Sequence, residues 1–123
     1  MTGLQEIEAL IGGASMPVAF DRAGEPRRVP MVVDRSAYRV VRDALASAQT
    51  ATEATVAIEY MPGALAVQVE HDGSGEELLE VAALAAAIGG GLTAARAPGG
   101  FRVRAWLPTE AQPLYPAGLL AGR

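Results

Sequence analysis

The segment TVAIEYMPGALAVQVEHDGSG, residues 55–75, decides the fold. Its two runs rich in β-branched and apolar residues, 55–60 and 65–69, flank the turn 61–63, which contains Pro62 and Gly63. Two such runs joined by a short turn are typical of a β-hairpin. The second run leads directly into the loop 71–75, where two glycines permit a sharp change of direction. The sequence therefore predicts a hairpin whose second strand ends in a glycine-containing loop.

A long helix is predicted on each side of this hairpin, because apolar residues recur there at three- and four-residue steps. The first runs from Met31 to about Ala51, and the second runs from Glu76 to Ile88 and is ended by three glycines. The spacing predicts that the first helix turns inward Val33, Ala37, Val41, Ala44, Leu45 and Ala48, and that the second turns inward Leu79, Ala83, Leu84, Ala87 and Ile88.

The outer parts of the chain complete the pattern. They predict a short helix at residues 4–11, a short strand at 18–20 followed by a turn at 21–24, an extended connector at 26–30, and a closing hairpin formed by 92–97 and 101–107. Helices beside such hairpins predict an α/β (α+β) fold, a two-layer sandwich of helices on a mixed, mainly antiparallel sheet. We assign residues 1–108 to one domain and 109–123 to a C-terminal tail, with Leu114 and Tyr115 as its candidate contacts.

Composition narrows the class of protein. Of the 123 residues, 50% are hydrophobic and 20% are charged, which suits a single globular domain. The absence of cysteine excludes disulfides, thiolate metal sites and thiol catalysis. A net charge of −4 disfavours a nucleic-acid surface. Neither a membrane-spanning apolar run nor a signal peptide is recognisable, so a cytoplasmic location is expected.

Four segments, in order, resemble the ATP-binding domain of sensor histidine kinases, within the wider GHKL group. Residues 37–45, AYRVVRDAL, are similar to the family helix that begins YRIVQEALTNALKHA, and residues 67–75, VQVEHDGSG, are similar to the strand and loop VxVxDDGxG. Residues 81–92 and 98–108 resemble the closing helix and hairpin. The resemblance covers roughly residues 4–108. It implies a histidine-kinase ATPase-like fold, ATP and Mg²⁺ as cofactors, and a protein partner in two-component signalling.

The resemblance also implies site residues on the long helix. A Glu and an Asn of the family, four residues apart, correspond here to Asp43 and Ser47, which this spacing places on one helical face. Asp43 is thus the candidate catalytic carboxylate. Ser47 is the candidate nucleotide-binding and Mg²⁺-binding residue, although its hydroxyl is a poorer ligand than an amide oxygen. Alternatively, Asp43 forms a surface ion pair with Arg39 or Arg42.

The glycine loop carries the remaining candidates for ATP binding, together with Gly99 and Gly100 of the closing hairpin. The family begins this loop with an Asp that accepts a hydrogen bond from the adenine amino group; here His71 occupies that position, and Asp72, Gly73 and Gly75 keep the rest. Losing the charge-assisted bond costs about 1–2 kcal/mol. Alternatively, His71 is a satisfied histidine at a strand end, and the glycines only permit turns.

Two further departures bear on activity. The family inserts an ATP lid between the glycine loop and the closing helix, whereas here Gly75 runs straight into Glu76. The chain also lacks a helical hairpin with a phosphoacceptor histidine, so it is not a complete self-phosphorylating kinase. Two functions remain open: an ATP-binding-type domain with weakened or lost nucleotide binding, and a non-catalytic, pseudokinase-like module that binds or regulates a protein. Enzymatic activity and a homo-oligomeric state stay open as well.

Overall fold

A computed structural model describes residues 4–110 of the chain, so the predicted contacts of Leu114 and Tyr115 lie outside the described residues. These residues form three helices and five strands. They are α1 (Leu4–Gly12), β1 (Val18–Ala23), α2 (Met31–Ser47), β2 (Ala54–Met61), β3 (Ala64–His71), α3 (Leu79–Ala87), β4 (Gly91–Ala97) and β5 (Gly100–Pro108).

The five strands form one sheet in the order β1-β2-β3-β5-β4. β1 runs parallel to β2, and the other three neighbouring pairs are antiparallel. The helices cover one face of this sheet, so the predicted α+β sandwich with a mixed, mainly antiparallel sheet is confirmed. No helix within residues 4–110 has both the length and the hydropathy needed to cross a membrane.

The core lies between the sheet and α2. Side chains alternate between the two faces of a strand, and this directs four apolar residues to the helix side, where each is at most 2% exposed: Val56, Ile58, Val67 and Val69. Burial of a valine or isoleucine side chain contributes about 1.5–3 kcal/mol, so this layer stabilises the hairpin strongly. The opposite face is partly or fully open to solvent, and Trp106 is among its exposed side chains.

The long helix ends earlier than predicted. α2 stops at Ser47, not near Ala51, and the N–H of Ala48 donates to the carbonyl of Leu45 in its last turn. Beyond it, the hydroxyl oxygen of Thr50 accepts a hydrogen bond of 2.9 Å from the N–H of Ser74. The segment after Ser47 is thus used to hold the glycine loop, a long-range contact that helical spacing does not reveal.

The second helix begins later than predicted, and a different face of it is buried. α3 begins at Leu79, after a residue with an unusual positive φ of 21° at Leu78. Leu79 is 74% exposed, and Ala83 and Ala87 are exposed too, so these three inward assignments are wrong. Val81 and Ala85 are the buried positions instead. The sequence LEVAALAAA is apolar on almost every side, so its periodicity did not identify the packed face.

The first strand is longer than predicted. The positions expected to form a turn, Asp21 to Ala23, continue the parallel ladder with β2, and the chain turns at Gly24, which has a φ of +81°. A side chain there would both adopt an unfavourable conformation and collide with the carbonyl of Tyr60.

Gly100 is expected to be far less tolerant of substitution than Gly91 in the same hairpin. A Cβ at Gly100 would collide with the carbonyl oxygen of His71 and lie 2.8 Å from Cα of Asp72, whereas one at Gly91 would meet nothing within 4 Å. We expect Gly100→Ala to lower the free energy of unfolding by at least about 2 kcal/mol and Gly91→Ala to change it by less than about 0.5 kcal/mol. Urea denaturation of both variants tests this, and equal stabilities would contradict the packing described.

Candidate functional site

The predicted site residues do not line one common cavity. Asp43 and Ser47 line a cleft of about 640 Å³ between α2 and the segment that leads into α3. His71, Asp72 and Gly99 line a separate hollow of about 320 Å³ at the end of β3, next to the turn between β4 and β5. The two concavities share no lining residue, so the structure divides the candidates into two groups.

The carboxylate of Asp43 is engaged by arginines. Its Oδ1 accepts a hydrogen bond of 3.0 Å from Nε of Arg42, and its Oδ2 lies 4.0 Å from Nη2 of Arg39. Arg39 also approaches Glu80 at 3.9 Å, which links α2 to α3. The alternative to a catalytic role for Asp43 was an ion pair with Arg39 or Arg42, and both pairs are present. This carboxylate therefore neutralises cations of its own helix.

Ser47 lies on this cleft with its hydroxyl bonded to its own helix. Its hydroxyl donates a hydrogen bond of 3.0 Å to the carbonyl of Ala44, one turn earlier in α2. Across the cleft lie Glu76, Glu77 and Glu80. Within residues 4–110 no three histidine, aspartate or glutamate side chains are grouped so that they could hold a metal ion. The lining holds Arg42 and four carboxylates, two of which, Asp43 and Glu80, also lie within 4.0 Å of Arg39. The remaining negative charge of Glu76 and Glu77 opposes a polyphosphate.

His71 is enclosed at the end of β3. It is 6% exposed, its ring stacks on Phe101 with centroids 5.8 Å apart, and its Nδ1 accepts a hydrogen bond of 3.2 Å from the N–H of Gly73. Burial lowers the pKa of His71, although the charge of Asp72 acts in the opposite direction, so the ring is neutral at pH 7.

The hydrogen bond to Nδ1 assigns the proton of this neutral ring to Nε2. Nε2 is buried and has no hydrogen-bond partner among residues 4–110. An adenine amino group needs an acceptor, whereas Nε2 of His71 offers a donor N–H. The resemblance implied an adenine contact at this position, and the ring as oriented here does not supply it.

Asp72 connects the glycine loop to the segment between α2 and β2 through hydrogen bonds. Its Oδ1 accepts hydrogen bonds from the N–H groups of Thr52, at 2.7 Å, and Glu53, at 3.2 Å, and its Oδ2 accepts one from the Thr52 hydroxyl. These bonds, the Thr52 hydroxyl first, lower the pKa of Asp72 from 3.8 to about 2. Asp72 therefore connects the glycine loop to the entry of β2.

Two of the loop glycines permit close packing. A Cβ at Gly73 would lie 2.5 Å from the backbone nitrogen of Ala51, and one at Gly75 would lie 2.7 Å from Cε2 of Phe101. Gly100 likewise packs on the backbone of His71, while Gly99 has open space around it and a φ of +84°, which suits a turn. The chain itself thus fills the space beside Gly73, Gly75 and Gly100.

Sequence reasoning missed three residues of this region, namely Thr50, Thr52 and Phe101. Threonine and aspartate commonly stabilise turns through side-chain hydrogen bonds, so the Thr-x-Thr segment was the available signal for a loop after α2. Phe101 carried no local signal, because its contact with His71 and Gly75 depends on the pairing of β3 with β5.

Comparison with known proteins relates this architecture to histidine kinases. No protein-family model matches the sequence, and no curated protein matches it either. Among solved structures, the catalytic domain of histidine kinase ThkA superimposes with a TM-score of 0.60 at 16% identity, over 88% of this chain and 86% of that one. The ATP-binding domain of PrrB from Mycobacterium tuberculosis superimposes with a TM-score of 0.57 at 14% identity, over 89% and 92%.

A third similar structure is the histidine kinase domain of the blue-light activated histidine kinase EL346 from Erythrobacter litoralis. Its TM-score is 0.57 at 21% identity, over 85% of this chain, and the chain spans only 58% of that domain. These likenesses show that residues of this chain adopt the fold of histidine kinase ATP-binding domains, as the resemblance implied.

Asp72 is expected to contribute stability that depends on pH. Because folding depresses its pKa, its contribution is present above pH 3.8 and is lost as the pH falls through about 2. We expect Asp72→Asn to lower the melting temperature at pH 7 and to make the melting temperature fall less steeply between these two pH values. Parallel thermal melts of the two proteins measure this, with Asp21→Asn, at an exposed position within β1, as a control. Identical acid profiles for Asp72→Asn and the parent protein would contradict it.

Proposed function

We propose that this chain is an ATP-binding-type domain of a sensor histidine kinase-like protein, acting in cytoplasmic two-component signalling, in which nucleotide binding is weakened or lost. The fold of histidine kinase ATP-binding domains is the premise. The observation that carries the proposal is that other residues of the chain already contact its candidate ligand groups. Asp72 is bound by Thr52, Asp43 is paired with arginines, and Phe101 stacks on His71.

The electrostatics of the larger cleft support weak binding. A triphosphate entering it would approach Glu76, Glu77 and Glu80 with Arg42 as the only lining cation. The three glutamates are exposed, so solvent screens their repulsion of a phosphate, but its sign still opposes binding. Mg²⁺ would offset part of this repulsion, but the lining offers it no side-chain amide oxygen, and the Ser47 hydroxyl is a poorer ligand.

The connection after the glycine loop supports the same conclusion. Only residues 76–78 separate Gly75 from the start of α3. Three residues are too few for a lid that closes over bound phosphates and excludes water. His71 is the chain's single histidine and is buried, so phosphotransfer would need an acceptor histidine supplied by another domain or protein.

The second candidate is a non-catalytic module that binds or regulates a protein partner. Two features of the cleft favour it. The cleft has a substantial volume although its lining disfavours phosphate. Leu79, which lines the cleft next to Leu78 and Val81, is 74% exposed. Exposed apolar area rimmed by charged residues is a common property of protein contact sites.

The parent protein is expected to bind ATP no tighter than high micromolar, and Mg²⁺ is expected to change this little. A titration with a fluorescent ATP analogue, repeated with MgCl₂ and with EDTA, measures both effects. A low-micromolar dissociation constant that weakens strongly in EDTA would overturn the loss of nucleotide binding and favour the catalytic interpretation.

The variant His71→Asp/Ser47→Asn is expected to regain affinity for MgATP. The first change supplies an acceptor for the adenine amino group and the second supplies an amide oxygen. Each restored interaction contributes about 1–2 kcal/mol, so binding should tighten roughly ten- to a thousandfold.

The matched control is His71→Asn/Ser47→Asn, which carries the same amide at position 47 but no carboxylate at the strand end. We expect it to gain less than the first variant. Calorimetry on both proteins, with thermal melts to establish folding, separates the contributions. If both remain folded and bind no better than the parent, these positions do not form a nucleotide site and the binding-module candidate stands alone.

A further inference from the structure

β4 forms one edge of the sheet, and within residues 4–110 no strand pairs with its outer side. Its sequence, GLTAARA, contains no proline and a single charged residue, Arg96. Proteins commonly protect edge strands with prolines, bulges or several charges, because unpaired N–H and C=O groups are a template for another strand. The opposite edge, β1, carries both Asp21 and Arg22. The edge at β4 is thus the less protected of the two.

Trp106 marks the same edge. It is the only tryptophan of the chain, it is 45% exposed, and its cross-strand partner is Gly91 of β4. Cross-strand partners share one face of a sheet, and glycine has no side chain to cover the indole. The indole therefore has open space between itself and the sheet edge.

We propose that β4 pairs with β4 of a second copy of this chain, antiparallel and centred on Ala94, so that two five-stranded sheets join into one of ten strands. In this register Thr93 lies opposite Ala95 of the second copy, and Leu92 lies opposite its Arg96. The two arginines never face each other, so no like-charge cost arises along the seam. Gly91 lies opposite Ala97 of the second copy, which brings that end of the second strand towards Trp106.

The small side chains of this edge favour a second copy over an unrelated peptide. Peptides that add a strand to a sheet gain specificity from pockets for alternate side chains. On the open face β4 presents Gly91, Thr93, Ala95 and Ala97, whose side chains are small or absent. Backbone hydrogen bonds with a strand of complementary register are what this edge offers. The inference does not rest on nucleotide binding.

Two readouts on the full 123-residue chain test the proposal. Analytical ultracentrifugation from low micromolar to near-millimolar protein should show the mass rise from 12.7 kDa towards twice that value. Emission of the single tryptophan should shift to shorter wavelength over the same concentrations, because pairing covers the indole. A mass of one chain throughout this range would overturn the proposal.

Two charge variants test the register. In Thr93→Glu/Ala95→Glu, carboxylates face each other across the seam twice, whereas in Thr93→Glu/Ala95→Arg, opposite charges do. Thr93 and Ala95 are exposed, and each faces an arginine of β5, so the carboxylates should leave the fold intact. Ala95→Arg faces Arg102, whose charge is already paired with Glu70, so this change should cost little within one chain. Each cross-strand pair is worth about 0.2–1 kcal/mol, so the first variant should dimerise roughly tenfold more weakly than the second.

Circular dichroism and thermal melts establish that both variants are folded. If the two dimerise equally well, β4 is not the seam, and if the oppositely charged variant is the weaker dimer, the register is wrong; either result overturns the proposal. A Trp106→Phe variant that keeps the concentration-dependent mass supports it further, because backbone pairing does not require the indole.

Discussion

The central position of β3 is the constraint on which the rest of the structure depends. β3 is hydrogen-bonded to β2 on one side and to β5 on the other, so His71 at its end is fixed between Ala54 and Phe101. That pairing brings the aromatic ring onto the histidine and against Gly75. It also holds the glycine loop close to the end of α2, where Thr50 and Thr52 bind it.

The fold does not by itself determine the chemistry of the site. The same backbone supports nucleotide binding in kinase domains that share the architecture, because a fold supplies positions and side chains supply the chemistry. Here the candidate side chains contact other residues of the chain: Asp72 accepts hydrogen bonds from Thr52, Asp43 pairs with arginines, and His71 stacks on Phe101. Such contacts favour a rigid, closed end of the sheet, whereas a ligand site needs groups that remain available.

The fold was predictable from the sequence to a large extent, and the site only in part. The hairpin around Pro62 and Gly63 has strong local signals, so its strands were placed correctly, and the glycine loop followed from them. α3 was placed in the right region but rotated, because a run of alanines has no polar face to fix the packed side. The contacts of Phe101 and Thr52 were not predicted, because they join segments that are distant in sequence. Local patterns record secondary structure better than they record such contacts.

The parallel pairing of β1 with β2 has a consequence for the order of folding. Val18 pairs with Ala54, 36 residues later, whereas β2 and β3 are joined by two residues. Closing a long loop costs more conformational entropy than closing a tight turn, so non-local pairs form later than hairpins. The β2–β3 hairpin is therefore the natural nucleus of the domain, and β1 joins it once α2 has packed. Because β1 is also an edge strand whose side chains are mostly exposed, we expect its hydrogen bonds to β2 to open more readily than those of the β2–β3 hairpin.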